Sequence, residues 1–270
     1  MRNKSTPSAY ALTIAGSDSG GGAGIQADLR AFASQGVFGL SAITAITAQN
    51  TSAVSAVQVM RPAVVRAQVD AVASDFPLSA IKTGMLANVA ITRAVARLAA
   101  RMGLAWIVDP VMIASSGGRL LDTAAETALR EDLLPHARVL TPNIPEAQAL
   151  LGISITRVGQ MERAAEQLCA LGASAVLLKG GHLSGREVVD VYFEAGAVTA
   201  FCAPRQRLQG HGTGCTLAAL LAARYALGEV GVNAVSNAIS AFRIAFDQGA
   251  DVGSLQVRVP YPVGRPLQSA

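Results

Sequence analysis

Short apolar runs alternate with helically spaced ones from one end of this chain to the other. Segments 10–16 (YALTIAG), 39–50 (GLSAITAITAQN), 79–86 (SAIKTGML), 105–112 (AWIVDPVM), 137–143 (ARVLTPN) and 174–182 (SAVLLKGGH) read as strands. They are rich in aliphatic and β-branched residues and end in glycine, proline or polar residues. Between them, Val65, Val69 and Val72 share one face of a helix over 62–74, and Ile91, Val95 and Leu98 one face of a helix over 88–102. This rhythm predicts an α/β fold, with a mostly parallel sheet covered by helices on both faces. After His182 the rhythm changes. Residues 186–204 read as two strands joined at Ala195-Gly196, a hairpin at the sheet edge, and helical stretches over 213–227 and 232–248 close the chain. With no linker, repeat or low-complexity segment, residues 1–270 are expected to form one domain, loose at 1–8 and 260–270.

Composition removes several classes of function. Of 270 residues 51% are apolar and 15% charged, enough for a large core and against disorder. The net charge of +4 comes from scattered Lys and Arg rather than a basic run, which argues against nucleic acid and leaves small anions open. Cys169, Cys202 and Cys215 show no paired spacing, so neither a disulfide framework nor a zinc site is expected. Cys169 reads as core, and Cys202 as a buried strand residue. The start has no apolar signal segment, and the apolar run after Cys215 is broken by Arg224, so a soluble, cytoplasmic protein without membrane contact is expected.

In open parallel sheets, ligands bind beyond the carboxyl ends of the strands, and there the polar residues of this chain gather. Strand one runs into the glycine loop 16–28 (GSDSGGGAGIQAD), strand two ends in Gln49-Asn50 and strand three in Lys82-Thr83-Gly84-Met85. Strand four ends in Asp109-Pro110, strand five in Thr141-Pro142-Asn143 with Glu146 beyond, strand six in Lys179-Gly180-Gly181-His182. The glycine loop is neither a P-loop nor a GxGxxG fingerprint, and a tight strand-to-helix turn would explain it equally well. Asp28, inside the following helix, could face the pocket and take a hydrogen bond from a substrate hydroxyl, or be a solvated carboxylate favoured by the helix dipole.

Asp109, Asn143 and Glu146 are hard oxygen donors of the kind magnesium takes along with phosphate oxygens and water. Each alone could equally be a helix cap or a strand-end hydrogen bond. Lys179 suits a phosphate, or is a snorkelling lysine. The turn 210–215 (GHGTGC), opening a helix, can aim successive backbone N–H groups at an anion such as a transferring phosphoryl group. Its plain alternative is a helix entry capped by Thr213. Cys215 stands in an electropositive setting that favours thiolate.

Taken in order, 11–29, ITAITAQNT (43–51), IKTGML (81–86), DPVMIASSG (109–117), LTPNIPEA (140–147), LLKGGH (177–182) and GHGTGCTLAA (210–219) resemble the hydroxymethylpyrimidine/phosphomethylpyrimidine kinases of thiamine biosynthesis, in the ribokinase-like superfamily. The resemblance spans most of the chain. It implies a three-layer αβα sandwich without a separate lid domain, usually a homodimer. It also implies ATP- and Mg2+-dependent phosphorylation of 4-amino-5-hydroxymethyl-2-methylpyrimidine, first to the monophosphate and then to the pyrophosphate. Gly16, Ala23, Asp28, Gln49 and Met85 would line the pyrimidine pocket, where a primary amide can pair with an aminopyrimidine edge as donor and acceptor. Asp109 and Glu146 would order the metal, with Asn143, Lys179 and Thr213 at the nucleotide. Gly212, Thr213 and Gly214 would form the anion hole, with Cys215 as base where larger relatives carry aspartate. One departure is DSGGGAG at 18–24, where the family often has DPSGGAG; the proline is missing but the glycines remain. Rival readings are a pyridoxal/pyridoxine kinase, a non-catalytic pyrimidine-binding protein on the same scaffold, and a thiol-redox protein using Cys215, which has no resolving cysteine nearby in sequence.

Overall fold

The computed structural model describes residues 7, 9–112, 123–206, 208 and 210–262. Residues 113–117 of the fourth motif, and most of the ends expected to be loose, lie outside them.

Strands β1 (Ala9–Asp18), β2 (Val37–Gln49), β3 (Val54–Val59), β4 (Ala80–Thr83), β5 (Ala105–Val108), β6 (Val139–Leu140), β7 (Ala175–Leu178), β8 (Glu187–Glu194) and β9 (Ala197–Pro204) form one sheet in the order β3-β2-β1-β4-β5-β6-β7-β8-β9. The six strands from β2 to β7 run parallel. Antiparallel strands close both edges, β3 beside β2 and the β8–β9 hairpin beside β7. The hairpin is where the chain pattern places it. Strand β3 is an addition that the pattern missed, because it is short and largely exposed and so shows little apolar contrast. So is the small ladder of β10 (Ala250–Val252) with β11 (Val257–Val259).

The helices are α1 (Gly24–Ser34), α2 (Pro62–Asp75), α3 (Val89–Arg101), α4 (Thr123–Ala128), α5 (Ile144–Leu151), α6 (Met161–Ala170), α7 (Thr213–Ala226) and α8 (Gly231–Asp247). Successive strand residues point to opposite faces, and the core divides accordingly. Leu12, Ile14, Ile81, Trp106, Val108, Leu140, Val176 and Leu178 join a cluster with α2, α3, α5 and α6. Ala11, Ala80, Ile107, Val139, Ala175 and Leu177 join another with α1, α7 and α8. The result is three layers, helices over sheet over helices.

Two cysteine expectations fare differently. Cys169 is partly buried against the first cluster. Cys202 is exposed, correcting the buried reading: on the outermost strand, Phe201 packs on the core and the next side chain alternates outward. Among the described residues, no helix is long and apolar enough to cross a membrane.

Candidate active site

At the carboxyl ends of the parallel strands lies a cavity of about 720 Å³. Strand order sorts its wall. Gln49 ends β2, Gly16 lies in β1, and Met85 follows β4, so these three occupy one side. Asp109 follows β5, Asn143 and Glu146 follow β6, and Lys179 follows β7, so these occupy the other. The start of α7, with Gly212, Thr213, Gly214 and Cys215, lines the cavity from a helix packed on β1, β4 and β5, between the two groups. Ala23 lines the wall from the first glycine loop.

On the β2 side, the Met85 carbonyl accepts a 2.6 Å hydrogen bond from Thr44 Oγ1. A Cβ on Gly16 would stand 3.1 Å from Met85 Sδ, so the glycine makes room for the thioether. The Gln49 side-chain oxygen lies 3.3 Å from the Thr47 hydroxyl, and its backbone N–H donates to Ser19 Oγ at 2.8 Å.

On the β5–β7 side, Lys179 Nζ donates to Asp109 Oδ1 at 2.9 Å, and the Thr141 hydroxyl to the same oxygen at 3.2 Å. Burial would discharge the ammonium, but Asp109 and Glu146 outweigh it and hold Lys179 protonated. A Cβ on Gly214 would lie 3.1 Å from Lys179 Nζ, so the lysine sits against the glycine turn. Asn143 caps α5: its side chain accepts from Glu146 N–H at 2.9 Å, and Glu146 Oε2 accepts from Asn143 N–H at 2.8 Å. Both residues therefore do the capping work that was their plain alternative, while also lining the cavity. Burial, helped by the Asp109 charge, pushes the Glu146 carboxyl up to about 7.

Two expectations need correction. Asp28 is fully buried and off the cavity wall. Thr13 and Lys82 are cross-strand partners on the α1 face of β1 and β4, and both bond Asp28 Oδ2, at 2.6 and 3.0 Å. Burial alone would discharge Lys82; the Asp28 charge outweighs it and holds the ammonium protonated. The carboxylate is thus engaged by Thr13 and Lys82 beneath the cavity floor. Cys215 is the second. Burial pushes its thiol up to about 11, despite the pull of Lys82, so the expected low value is not found. The helix entry also differs from the Thr213-cap alternative. Gly212 is the cap residue, at φ +69°, with no side-chain capping bond.

A family model described as phosphomethylpyrimidine kinase matches residues 18–260. The chain belongs to the phosphomethylpyrimidine kinase family. It is 49% identical to the hydroxymethylpyrimidine/phosphomethylpyrimidine kinase of Rhizobium meliloti (strain 1021) over 232 residues, covering 85% of this chain and 87% of that one. Among solved structures, phosphomethylpyrimidine kinase from Clostridium difficile 630 superposes with a TM-score of 0.79 at 39% identity, covering 88% of this chain and 99% of that one. A pyridoxal kinase from Staphylococcus aureus in complex with AMP-PCP and pyridoxal superposes at 0.84 with 32% identity, covering 93% and 91%. These neighbours share the ribokinase-like sandwich predicted above.

For this phosphomethylpyrimidine kinase family member, the sequence reading missed the roles of Lys82, Asp18 and His211. Lys82 carried a usable signal, a charge inside an otherwise apolar strand. Asp18 carried another: an aspartate followed closely by glycines commonly folds a turn around its own carboxylate. Here Asp18 accepts from Gly20 N–H and Ala23 N–H, both at 2.8 Å. Burial opposes its charge, and these bonds together with His211 outweigh that and hold the carboxyl below its ordinary value. His211 had no comparable signal, because its partner lies in the other glycine loop.

Proposed function

We propose that this chain transfers the γ-phosphoryl group of ATP to the hydroxymethyl group of 4-amino-5-hydroxymethyl-2-methylpyrimidine, and then phosphorylates the monophosphate. The observation that carries this reading is the sorting of one cavity by strand order. A Gln49–Met85–Gly16 wall suits a flat aminopyrimidine, and an Asp109–Glu146–Lys179 wall suits polyphosphate, with the α7 turn between them. In-line transfer needs these two ligands end to end, with charge stabilisation where the phosphoryl group passes.

Gln49 would orient the ring edge, and Lys179 would meet phosphate oxygens as a fixed positive charge. The N–H groups of Gly212, Thr213 and Gly214 would receive the negative charge of the moving group. Among the described residues, no group of three His, Cys, Asp or Glu side chains converges to hold a metal. The site instead offers Asp109 and a Glu146 whose anion its surroundings disfavour, a donor pair suited to Mg2+ arriving with ATP and bringing phosphate and water ligands. Such an ion neutralises charge on the phosphate oxygens. Asp109 and Glu146 would hold it, and Asn143 would keep Glu146 in place. A homodimer in the cytoplasm belongs to the same proposal, following the family resemblance.

The reading is tested by measuring ATP consumption by the purified protein with the pyrimidine alcohol, its monophosphate and pyridoxal in parallel. Turnover of both pyrimidines well above pyridoxal is expected. Preference for pyridoxal, whose kinases share the fold, would overturn the substrate assignment, and binding without turnover would leave only a pyrimidine-binding protein.

Cys215, in its thiolate form, takes the hydroxyl proton in this proposal. Phosphoryl transfer is largely dissociative, so the proton leaves late and the acceptor contributes near the low end of general-base effects, about 10²-fold. Because burial keeps the thiol protonated near neutral pH, kcat is expected to rise as pH climbs from 7 to 9. Cys215→Ala should lower kcat and flatten that rise. A variant keeping the native slope removes the thiol from the proton path.

Glu146 makes a stability prediction independent of turnover. The folded protein keeps this proton up to about pH 7, whereas an ordinary carboxyl releases it near 4.5, so stability from this group falls as pH rises between those values. Glu146→Gln keeps the cap geometry without the charge. The unliganded variant should match the native protein at pH 5 and exceed it by about 2–3 kcal/mol at pH 8 in urea unfolding. Equal stabilities at pH 8 would remove the strained-carboxylate account.

A further inference from the structure

The two glycine-rich loops are joined by a buried pair that the transfer chemistry above leaves unused. His211 Nε2 lies 3.2 Å from Asp18 Oδ2, and both residues are buried. The substrate-side loop is wrapped around the same carboxylate, through Gly20 N–H on Oδ1 and Ala23 N–H on Oδ2. Asp18 is itself anchored by its backbone N–H to Gln26 Oε1 in α1, at 3.0 Å. From the other side, His211 N–H donates to the Arg258 carbonyl at 2.9 Å, tying the anion-hole loop to β11. The loops also touch directly. A Cβ on Gly22 would meet His211 Cδ2 at 2.1 Å, and one on Gly212 would meet the Gly22 carbonyl oxygen at 1.9 Å.

We propose that Asp18 and His211 form a positioning latch that fixes the turn 212–214 relative to the loop 18–24, setting the separation between the reacting hydroxyl and the phosphoryl group. The proposal rests on the kinase reading and assigns residues beyond it. A carboxylate can only accept, so His211 Nε2 carries the proton of this bond. Gln49 and Met85 stand on different strands from Asp109 and Lys179, so these parts of each wall stay in place when the latch is broken, although Ala23 and the latched pair also line the cavity. What is lost is alignment, and a misplacement of about 1 Å costs on the order of 10²-fold in rate.

The test compares His211→Leu, which removes the donor, with His211→Gln, whose amide nitrogen can occupy the place of Nε2. His211→Leu is expected to lower kcat about 10²-fold while KM for each substrate stays within about threefold, and His211→Gln to recover most of the rate. In the unliganded protein, amide hydrogen exchange should quicken in both 19–24 and 211–215 for His211→Leu, and in neither for His211→Gln. Exchange that quickens only in 211–215, a His211→Leu kcat near native, or a folded His211→Gln as slow as His211→Leu would overturn the latch. If the native protein phosphorylates no pyrimidine, the kinase reading fails while the exchange comparison still decides whether the loops are coupled. Should His211→Leu not fold, Asp18→Asn takes its place, since one acceptor oxygen becomes a donor facing donors.

Discussion

Replacing Gly212 with alanine is expected to lower kcat about 10³-fold, the upper end of what losing one preorganised anion-hole donor costs. Two independent obstacles meet at this position. Its φ of +69° lies in the left-handed region that side chains avoid, and its Cβ would stand 1.9 Å from the Gly22 carbonyl oxygen and 3.1 Å from Ala23 Cα. Both neighbours are backbone, so the new methyl group cannot be accommodated by a rotamer change. The turn has to move, and its N–H groups leave the path of the phosphoryl group. Pyrimidine and nucleotide binding should change much less, because Gln49, Met85, Asp109 and Lys179 stand at the ends of other strands. A Gly212→Ala enzyme within about tenfold of native kcat would mean that the turn is not where charge develops. The same steric argument predicts a smaller loss at Gly214, where the near atom is the end of the Lys179 side chain.

Replacing Asp28 with alanine is expected to destabilise the fold by about 3–5 kcal/mol, the usual cost of leaving a buried charge without its partner. Lys82 is fully buried, and Asp28 Oδ2 is its 3.0 Å ion-pair partner. The Thr13 hydroxyl loses its acceptor in the same change. Removing both charges should be milder. The pair Asp28→Leu with Lys82→Met is expected to recover most of the lost stability, because apolar residues of similar volume often replace a buried ion pair without penalty. Urea unfolding of the single and double variants checks both statements. A single variant as stable as the native protein would mean that Lys82 finds water or another acceptor. A double variant no better than the single one would mean that shape, not charge, holds this floor.

Most of the architecture was legible from periodicity, because each central strand is buried on both faces and therefore reads as a continuous apolar run. The edges were less so. The hairpin 186–204 announced itself through Ala195-Gly196, whereas β3, exposed along most of its length, has no buried face to create a pattern. Cys202 was misplaced for a related reason: an apolar run on an outermost strand looks like a core strand until its missing neighbours are known. At the site, strand-end position alone located Gln49, Met85, Asp109, Asn143, Glu146 and Lys179 on the cavity wall. It could not distinguish Asp28 from them, because a residue one turn into α1 can face either the cavity or the sheet.

By itself, then, the sequence determined the alternation of elements, the motifs that mark the family, and the edge of the sheet where polar groups collect. These are local properties, set by spacing along the chain and by the direction in which parallel strands run. The tertiary structure alone decided which residues became partners and what charge they carry. Strand order separated the Gln49 wall from the Lys179 wall. Face alternation turned Thr13 and Lys82 toward Asp28, loop contact brought His211 to Asp18 across the chain, and burial raised the Cys215 thiol and the Glu146 carboxyl. Each of these depends on desolvation and on neighbours distant in sequence, and neither is encoded in the spacing of any one segment.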